Sequence, residues 1–235
     1  MRYAVYSNKG KVRIDNEDNY LIKEKSVPLF AVADGMGGHQ AGEIASQIAV
    51  QSLEKYDFDY ENILDEIKSS INRANDLIYE QGQKELEFEG MGTTLSMGII
   101  YNMQLFIGHV GDSRIYLHRD KQLKQLTTDH SLVNELVENN QITCQEAFDH
   151  PQKNIITQAL GTSEKLKIDS KVVELKNGDL ILFSTDGLHD MLRLNEIEDI
   201  LNSNENIEEL VKLLGEQALN KGGSDNITLI IVELK

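Results

Sequence analysis

Apolar positions along this chain fall into two periods. From Ala41 to Tyr56 they place Ile44 and Ile48 beside Ala45, Ala49 and Leu53, and from Tyr60 to about Lys84 they set Ile63, Ile67, Ile71, Ala74 and Ile78 at spacings of three and four. With charges on the opposite side, both stretches predict amphipathic helices. A third stripe, Leu210, Val211, Leu214 and Ala218, predicts a helix from about Ile207 to Leu219 that ends at Gly222-Gly223. The other apolar runs are short and read as strands: RYAVYS, NYLIK, LFAVA, TTLSMGIIY, LFIGHVG, RIYLHR, KVVEL, DLILFST and ITLIIVEL.

Tight links join several of these runs, at Asn102-Met103, at Asp120-Lys121, and at Asn177-Gly178 between KVVELK and DLILFS. A parallel crossover needs about a dozen residues, so such links predict antiparallel neighbours. Antiparallel sheet with helices packed outside it, a layered α+β architecture, is the expected fold class. Residues 128–165 stand apart. They are polar, carry Cys144 and Pro151, hold a helical pattern only near Ser131 to Asn139, and read as a surface flap of the kind that contacts ligands.

Composition narrows the reading. With 235 residues, 40% of them apolar, and no Gly/Ser- or Pro-rich linker, residues 1–235 are expected to form one domain. The N-terminus lacks the apolar stretch of a signal peptide, and no segment approaches the run of about 18 apolar residues that spans a membrane, so a soluble, cytoplasmic protein without membrane association is expected. A single cysteine excludes an intrachain disulfide and any thiolate metal cluster. Lysine and arginine number 23 against 39 aspartate and glutamate, a net charge of −16, which argues against a nucleic-acid partner. An anionic ligand would therefore need local positive charge.

Candidate chemistry lies where the strands end. Asp34 follows LFAVA, Asp112 follows LFIGHVG, Asp186 follows DLILFST, and Asp225 precedes NITLIIVEL, each beside or within two residues of a glycine: Gly35, Gly111, Gly187 and Gly223. A single Asp-Gly pair marks a turn. If these strands share a sheet edge, however, the acids converge, and like charges brought together repel unless a cation joins them. Carboxylate oxygens without thiolate suit a hard ion, Mg²⁺ or Mn²⁺, and several at one locus could hold two ions about 3.5–4 Å apart, the arrangement used for in-line displacement at phosphorus. Upstream, KVRIDNEDNY sets Arg13 before Asp15, Glu17 and Asp18. Arginine matches phosphate through paired hydrogen bonds, and neighbouring acids can orient metal-bound water.

KVRIDNEDNY, VADGMGGHQAGEIAS, GMGTTL, VGDSRIYL, LTTDHSLVNELV, HPQKNIITQALG, STDGLHDML and GGSDNITLIIV occur in the order of the successive motifs of the metal-dependent protein phosphatases. From about Tyr3 to Glu233 the chain resembles this family, also called protein phosphatase type 2C, and within it the compact bacterial serine/threonine phosphatases. The resemblance implies a four-layer αββα sandwich, two antiparallel sheets flanked by helices, with a binuclear Mn²⁺ or Mg²⁺ centre at one end. It implies that Asp34 bridges both ions, that Gly35 lends its carbonyl to one, and that Asp186 and Asp225 complete the other. Asp112 would hold a weaker third ion with Asp186, with Asp190 supporting that site. Arg13 would bind the substrate phosphate, Glu17 and Asp18 would hold metal waters, and His39 would protonate the leaving alkoxide. Gln158, in IITQALG, departs from the arginine frequent in relatives, and Thr185 in STDG from the frequent serine.

The activity implied is hydrolysis of phosphoserine and phosphothreonine in proteins by water bridging two metal ions. The expected partners are phosphorylated proteins, including substrates of a bacterial serine/threonine kinase and the kinase itself, met by a monomer. Two alternatives stand beside it: a non-catalytic phosphoprotein-binding scaffold on the same fold, and a phosphatase of small phosphoesters. A cysteine phosphatase is disfavoured because Cys144 lacks an arginine six residues on, and a P-loop enzyme because DGMGGH lacks the Gly-Lys-Ser/Thr ending.

Overall fold

The computed structural model describes residues 1–24, 27–37, 40–84 and 86–235. Its strands form two antiparallel sheets. One has the spatial order β1 (Arg2–Asn8), β11 (Ile227–Glu233), β10 (Leu180–Ser184), β7 (Arg114–Arg119) and β8 (Gln122–Gln125). The other runs β2 (Asp18–Lys23), β3 (Leu29–Met36), β5 (Leu95–Tyr101), β6 (Gln104–Val110) and β9 (Asp169–Glu174), with the two-residue β4 (Gly92–Thr93) paired to β3.

Three apolar clusters hold the layers together. Between the sheets lie Phe30, Val32, Ile115, Ile181, Phe183 and Ile230. Outside the second sheet, α1 (Ala41–Lys55) and α2 (Ile63–Lys84) press Ala45, Ala49, Leu53, Ile67, Ile71 and Ile78 onto Ala31, Leu95 and Met97. Outside the first, α5 (Asp186–His189), α6 (Leu194–Leu201) and α7 (Ile207–Asn220) cover Leu182, Leu229 and Ile231 with Leu188, Ile197, Leu210 and Leu214. Each large side chain buried in this way contributes about 1.5–3 kcal/mol, so the stripes read in the sequence also supply most of the packing. The result is the four-layer αββα sandwich. Among the described residues no helix is long and apolar enough to cross a membrane.

The turns behave in two ways. Asn102-Met103 and Asp120-Lys121 close true hairpins, β5 to β6 and β7 to β8, with both central residues of each at positive φ as such two-residue turns require. Asn177-Gly178 does not, contrary to the expectation. β9 pairs with β6 and β10 with β7 and β11, so this turn carries the chain from one sheet to the other. Its backbone is secured across the crossing by Gly178 N–H to Leu234 O (2.9 Å) and Leu234 N–H to Asp179 O (3.0 Å). Turn residues specify a reversal but not which sheet receives the next strand.

The 128–165 segment is anchored in the body near both its ends. Asp129, His130 and Ser131 are buried, and Leu160 exchanges backbone hydrogen bonds with Thr93 (3.1 and 2.9 Å). Between these anchors stand α3 (Leu132–Glu138), capped by the Ser131 hydroxyl, and α4 (Cys144–Phe148), which opens with a Thr143/Glu146 capping box.

Candidate metal centre

The acids come together, but not along one sheet edge. Asp34 on β3 and Asp112 after β6 belong to one sheet, whereas Asp186 after β10 and Asp225 before β11 belong to the other. They meet because all four lie at the same end of the sandwich. Asp18, at the start of β2, stands directly opposite Asp34 in the strand pairing.

The backbone fixes each position. Asp34 N–H donates to the Thr94 hydroxyl (2.9 Å), its carbonyl accepts from Thr94 N–H and from the Thr93 hydroxyl (each 2.9 Å), and Thr94 Oγ1 in turn meets Ser113 Oγ at 2.7 Å. Gly35 N–H donates to Glu17 O at 3.2 Å, and a side chain at Gly35 would run into the Gly42 carbonyl, so only glycine lets α1 come this close to the acid end. Gly187 is likewise required, since a Cβ there would strike Asn226 O. Asp186 is the first residue of α5 rather than the end of a strand, and Asp190, which caps that helix, receives Lys153 Nζ at 3.0 Å.

The carboxylates are crowded and incompletely bonded. Thr185 Oγ1 donates to Asp18 Oδ2 at 2.8 Å, yet Oδ1 of Asp18, of Asp112 and of Asp186 are all buried without a hydrogen-bond partner among the described residues. Burial, opposed by the Thr185 and Thr228 hydroxyls, pushes Asp18 up to about 7. Asp112 is also pushed to about 7, by burial and then by Asp129. Asp34 and Asp186 are raised well above the ordinary carboxylate value, first by burial and then by each other's neighbourhood of Asp18, Asp112 and Asp225. An unpaired buried carboxylate oxygen is costly, and three at one locus are what a divalent cation would satisfy. Among the described residues no three acid, histidine or cysteine side chains form a ready-made cage. Spaced carboxylates of this kind fit a hard ion that keeps part of its water shell, and Mn²⁺ or Mg²⁺ is such an ion.

The positive charge demanded by the acidic composition is present. Arg13 Nη2 donates to Asp225 Oδ2 at 2.8 Å, with the guanidinium half exposed at the mouth of the site. Asp225 Oδ1 accepts from Asn226 N–H (2.8 Å). Glu17 lies alongside, its carboxyl raised by partial burial and lowered by Arg13. His39 falls outside the described residues.

Sequence reasoning missed the residue that assembles this corner. The Asn226 side chain receives Glu17 N–H (2.8 Å) and donates to the carbonyls of Lys9 and Asp15 (each 2.9 Å), tying the loop that carries Arg13 and Glu17 to the strand that follows Asp225. Its only signal was adjacency to Asp225. Arg114 and Asp129 were also missed as a pair; the guanidinium holds the carboxylate at 2.6–3.0 Å and joins the Asp112 loop to the 128–165 segment.

Known proteins match this chain over nearly its full length. The profile described as Protein phosphatase 2C matches residues 9–222. The serine/threonine phosphatase stp of Listeria welshimeri is 39% identical over 235 residues, covering 97% of this chain and 93% of that protein. The crystal structure of the Mycobacterium tuberculosis serine/threonine phosphatase PstP/Ppp superposes with a TM-score of 0.92 at 38% identity, over 100% of this chain and 98% of that one. A structure of the PstP catalytic domain in complex with two manganese ions gives 0.89 at 36% identity, over 98% and 96%. The profile match begins at Lys9, where the Arg13 loop starts, and runs to Gly222, just short of Asp225, and the relatives match over nearly the whole chain: this chain is a member of the protein phosphatase 2C family.

Proposed function

We propose that this chain removes phosphate from phosphoserine and phosphothreonine in proteins, as a metal-dependent hydrolase using manganese or magnesium. The observation that carries the reading is the meeting of Asp18, Asp34, Asp112, Asp186 and Asp225 beside Arg13, with carboxylate oxygens left unbonded in a buried site. Asp34, the Gly35 carbonyl, Asp186 and Asp225 would hold two ions, and Asp112 with Asp186 a weaker third. Bound there, such ions acidify water and neutralise phosphoryl oxygens during in-line displacement.

The chain's own groups do the rest. Arg13 presents two parallel N–H donors to the phosphate, and its contact with Asp225 keeps it at the mouth before substrate arrives. Glu17 and Asp18 accept from water and orient it, while Thr185 keeps Asp18 from turning away. His39 is assigned the proton that the leaving alkoxide needs, a role suited to a group titrating near neutrality. Residues 1–235 act as one catalytic domain with 128–165 as its flap, and the protein works as a cytoplasmic monomer in signalling, opposing a serine/threonine kinase without membrane attachment.

The test is release of phosphate from a phosphothreonine peptide with Mn²⁺, then with chelator, then by Asp186→Asn. Release that needs metal and disappears in the variant is expected. No release under any condition would leave the fold as a scaffold, and release from small phosphoesters alone would reassign the substrate.

A further inference from the structure

Beside the acid end lies a cavity most of whose lining the catalytic reading does not use. It occupies about 450 Å³ between α3, α4 and α6, within the range of about 300–1,000 Å³ usual for ligand pockets. Asp112 and Asp190 line it, so it is continuous with the proposed metal centre.

Apart from Asp112, whose Oδ1 has no hydrogen-bond partner among the described residues, its charged side chains are paired with one another. On the floor, Arg114 grips Asp129 with Nε and Nη2 and donates from Nη1 to the Tyr116 hydroxyl (3.3 Å), while Asp129 also accepts from Gln125 (2.8 Å). At the rim, Lys153 is held by Asp190, and Arg193 by Gln145 (2.5 Å) and Asp149 (3.5 Å). Both cations lie over the Phe148 ring, Arg193 at 4.4 Å and Lys153 at 5.6 Å from its centre, which fastens α4 as a roof. Away from the Asp112 edge, the lining that remains combines the polar His189 and Asn195 with an apolar wall of Val133, Val137, Ala147, Leu192 and Ile197. Such a wall, beside cations already paired, takes an uncharged, apolar group.

We propose that this cavity is a specificity subsite that receives a large apolar side chain of the substrate protein, close in sequence to the phosphorylated serine or threonine. The proposal rests on the phosphatase reading above. The occupant follows from continuity: a peptide whose phosphate lies by Arg13 and the acids passes the Asp112–Asp190 edge and meets the opening. The net charge of −16 adds a penalty for acidic flanking residues and none for apolar ones.

Cys144, exposed at the cavity wall and the only cysteine in the chain, supplies a reporter independent of turnover. The rate of its alkylation by N-phenylmaleimide would be followed in the Mn²⁺-loaded protein with saturating peptides that carry a non-hydrolysable phosphonate. In these peptides a single leucine is scanned through the three positions on either side, against an all-glycine background. One leucine position should slow alkylation at least fivefold beyond the glycine peptide. In parallel, Ala147→Trp should lower kcat/KM for the corresponding leucine phosphopeptide about tenfold, the scale expected for excluding one such side chain, while p-nitrophenyl phosphate hydrolysis stays within twofold. Equal protection by leucine and glycine peptides, or parallel loss on both substrates, would overturn the subsite. Protection by free indole and by no peptide would assign the cavity to a small ligand and overturn it too. Absence of all hydrolysis by the wild-type protein would strike the phosphatase reading, and the alkylation result would still decide the cavity.

Discussion

Strand β10 carries a buried aspartate just before it and another just after it, and the two are treated in opposite ways. Asp179 is wholly engaged: Arg119 donates to both its oxygens (2.8 and 2.6 Å), Lys176 N–H adds a third bond (2.7 Å), and the same guanidinium also reaches Glu174 O. Asp186, at the other end, has an Oδ1 with no partner among the described residues, as do its neighbours Asp18 and Asp112. The protein can satisfy a buried carboxylate with its own donors, and does so where the carboxylate only joins two sheets. Leaving a group of them unsatisfied at the opposite end costs stability that a bound cation returns.

The largest effects separate these two ends by activity. Asp34→Asn should lower kcat on a phosphothreonine peptide by about 10³-fold or more, because the proposed metal centre would lose one of its carboxylate charges. Without metal, however, the same variant should melt at a higher temperature than the wild type, since a buried repulsion is gone. A metal-free melting temperature that falls would show the acid end to be internally satisfied after all.

The pH dependence of stability comes next. Asp18 and Asp112 titrate at about 7 in the folded chain against 3.8 unfolded. As pH rises the unfolded chain releases these protons first, so stability present in full below about pH 4 is lost as pH climbs through about 7. Metal-free protein should therefore melt higher at pH 5 than at pH 8, and saturating Mn²⁺ should stabilise it far more at pH 8. Calorimetry in chelator and in Mn²⁺ reads both; a flat metal-free profile would contradict the shifts.

Asp179→Asn should do the reverse of Asp34→Asn. Breaking a buried pair whose arginine is partly exposed should cost about 3 kcal/mol in urea denaturation, with kcat within twofold of wild type. The smallest effect concerns Arg13, half exposed and, among the described residues, hydrogen-bonded to Asp225 alone. Arg13→Ala should raise KM for phosphopeptide about tenfold and leave the metal-free melting temperature almost unchanged. Comparable losses in KM and stability would make this arginine a structural partner of Asp225.

Much of this division was readable in the sequence because it is local. Asp-Gly steps after apolar runs marked Asp34 and Asp186, a Gly-Asp step marked Asp112, and helical spacing gave α1, α2 and α7. The assignment of strands to sheets was not readable, since pairing between β10 and β11 or β6 and β9 joins distant segments and leaves no periodic trace. That is why the acids were expected on one sheet edge and Asn177-Gly178 was expected to close a hairpin. Helix α6 escaped because its eight residues give too short a stripe, Leu194, Ile197, Ile200 and Leu201, to show a helical period. Asn226, Thr185 and Thr94 escaped for another reason: small polar residues reveal their work only when their partners are in place.

Titration with Mn²⁺ followed by electron paramagnetic resonance tests the central claim most directly. If Asp34 bridges a pair of ions, the wild-type chain should bind two Mn²⁺ tightly, with the broadened signal of exchange-coupled neighbours, and Asp34→Asn should lose that coupled signal together with activity. Two tightly held ions in Asp34→Asn with an unchanged signal, or no tight binding by the wild type, would contradict it.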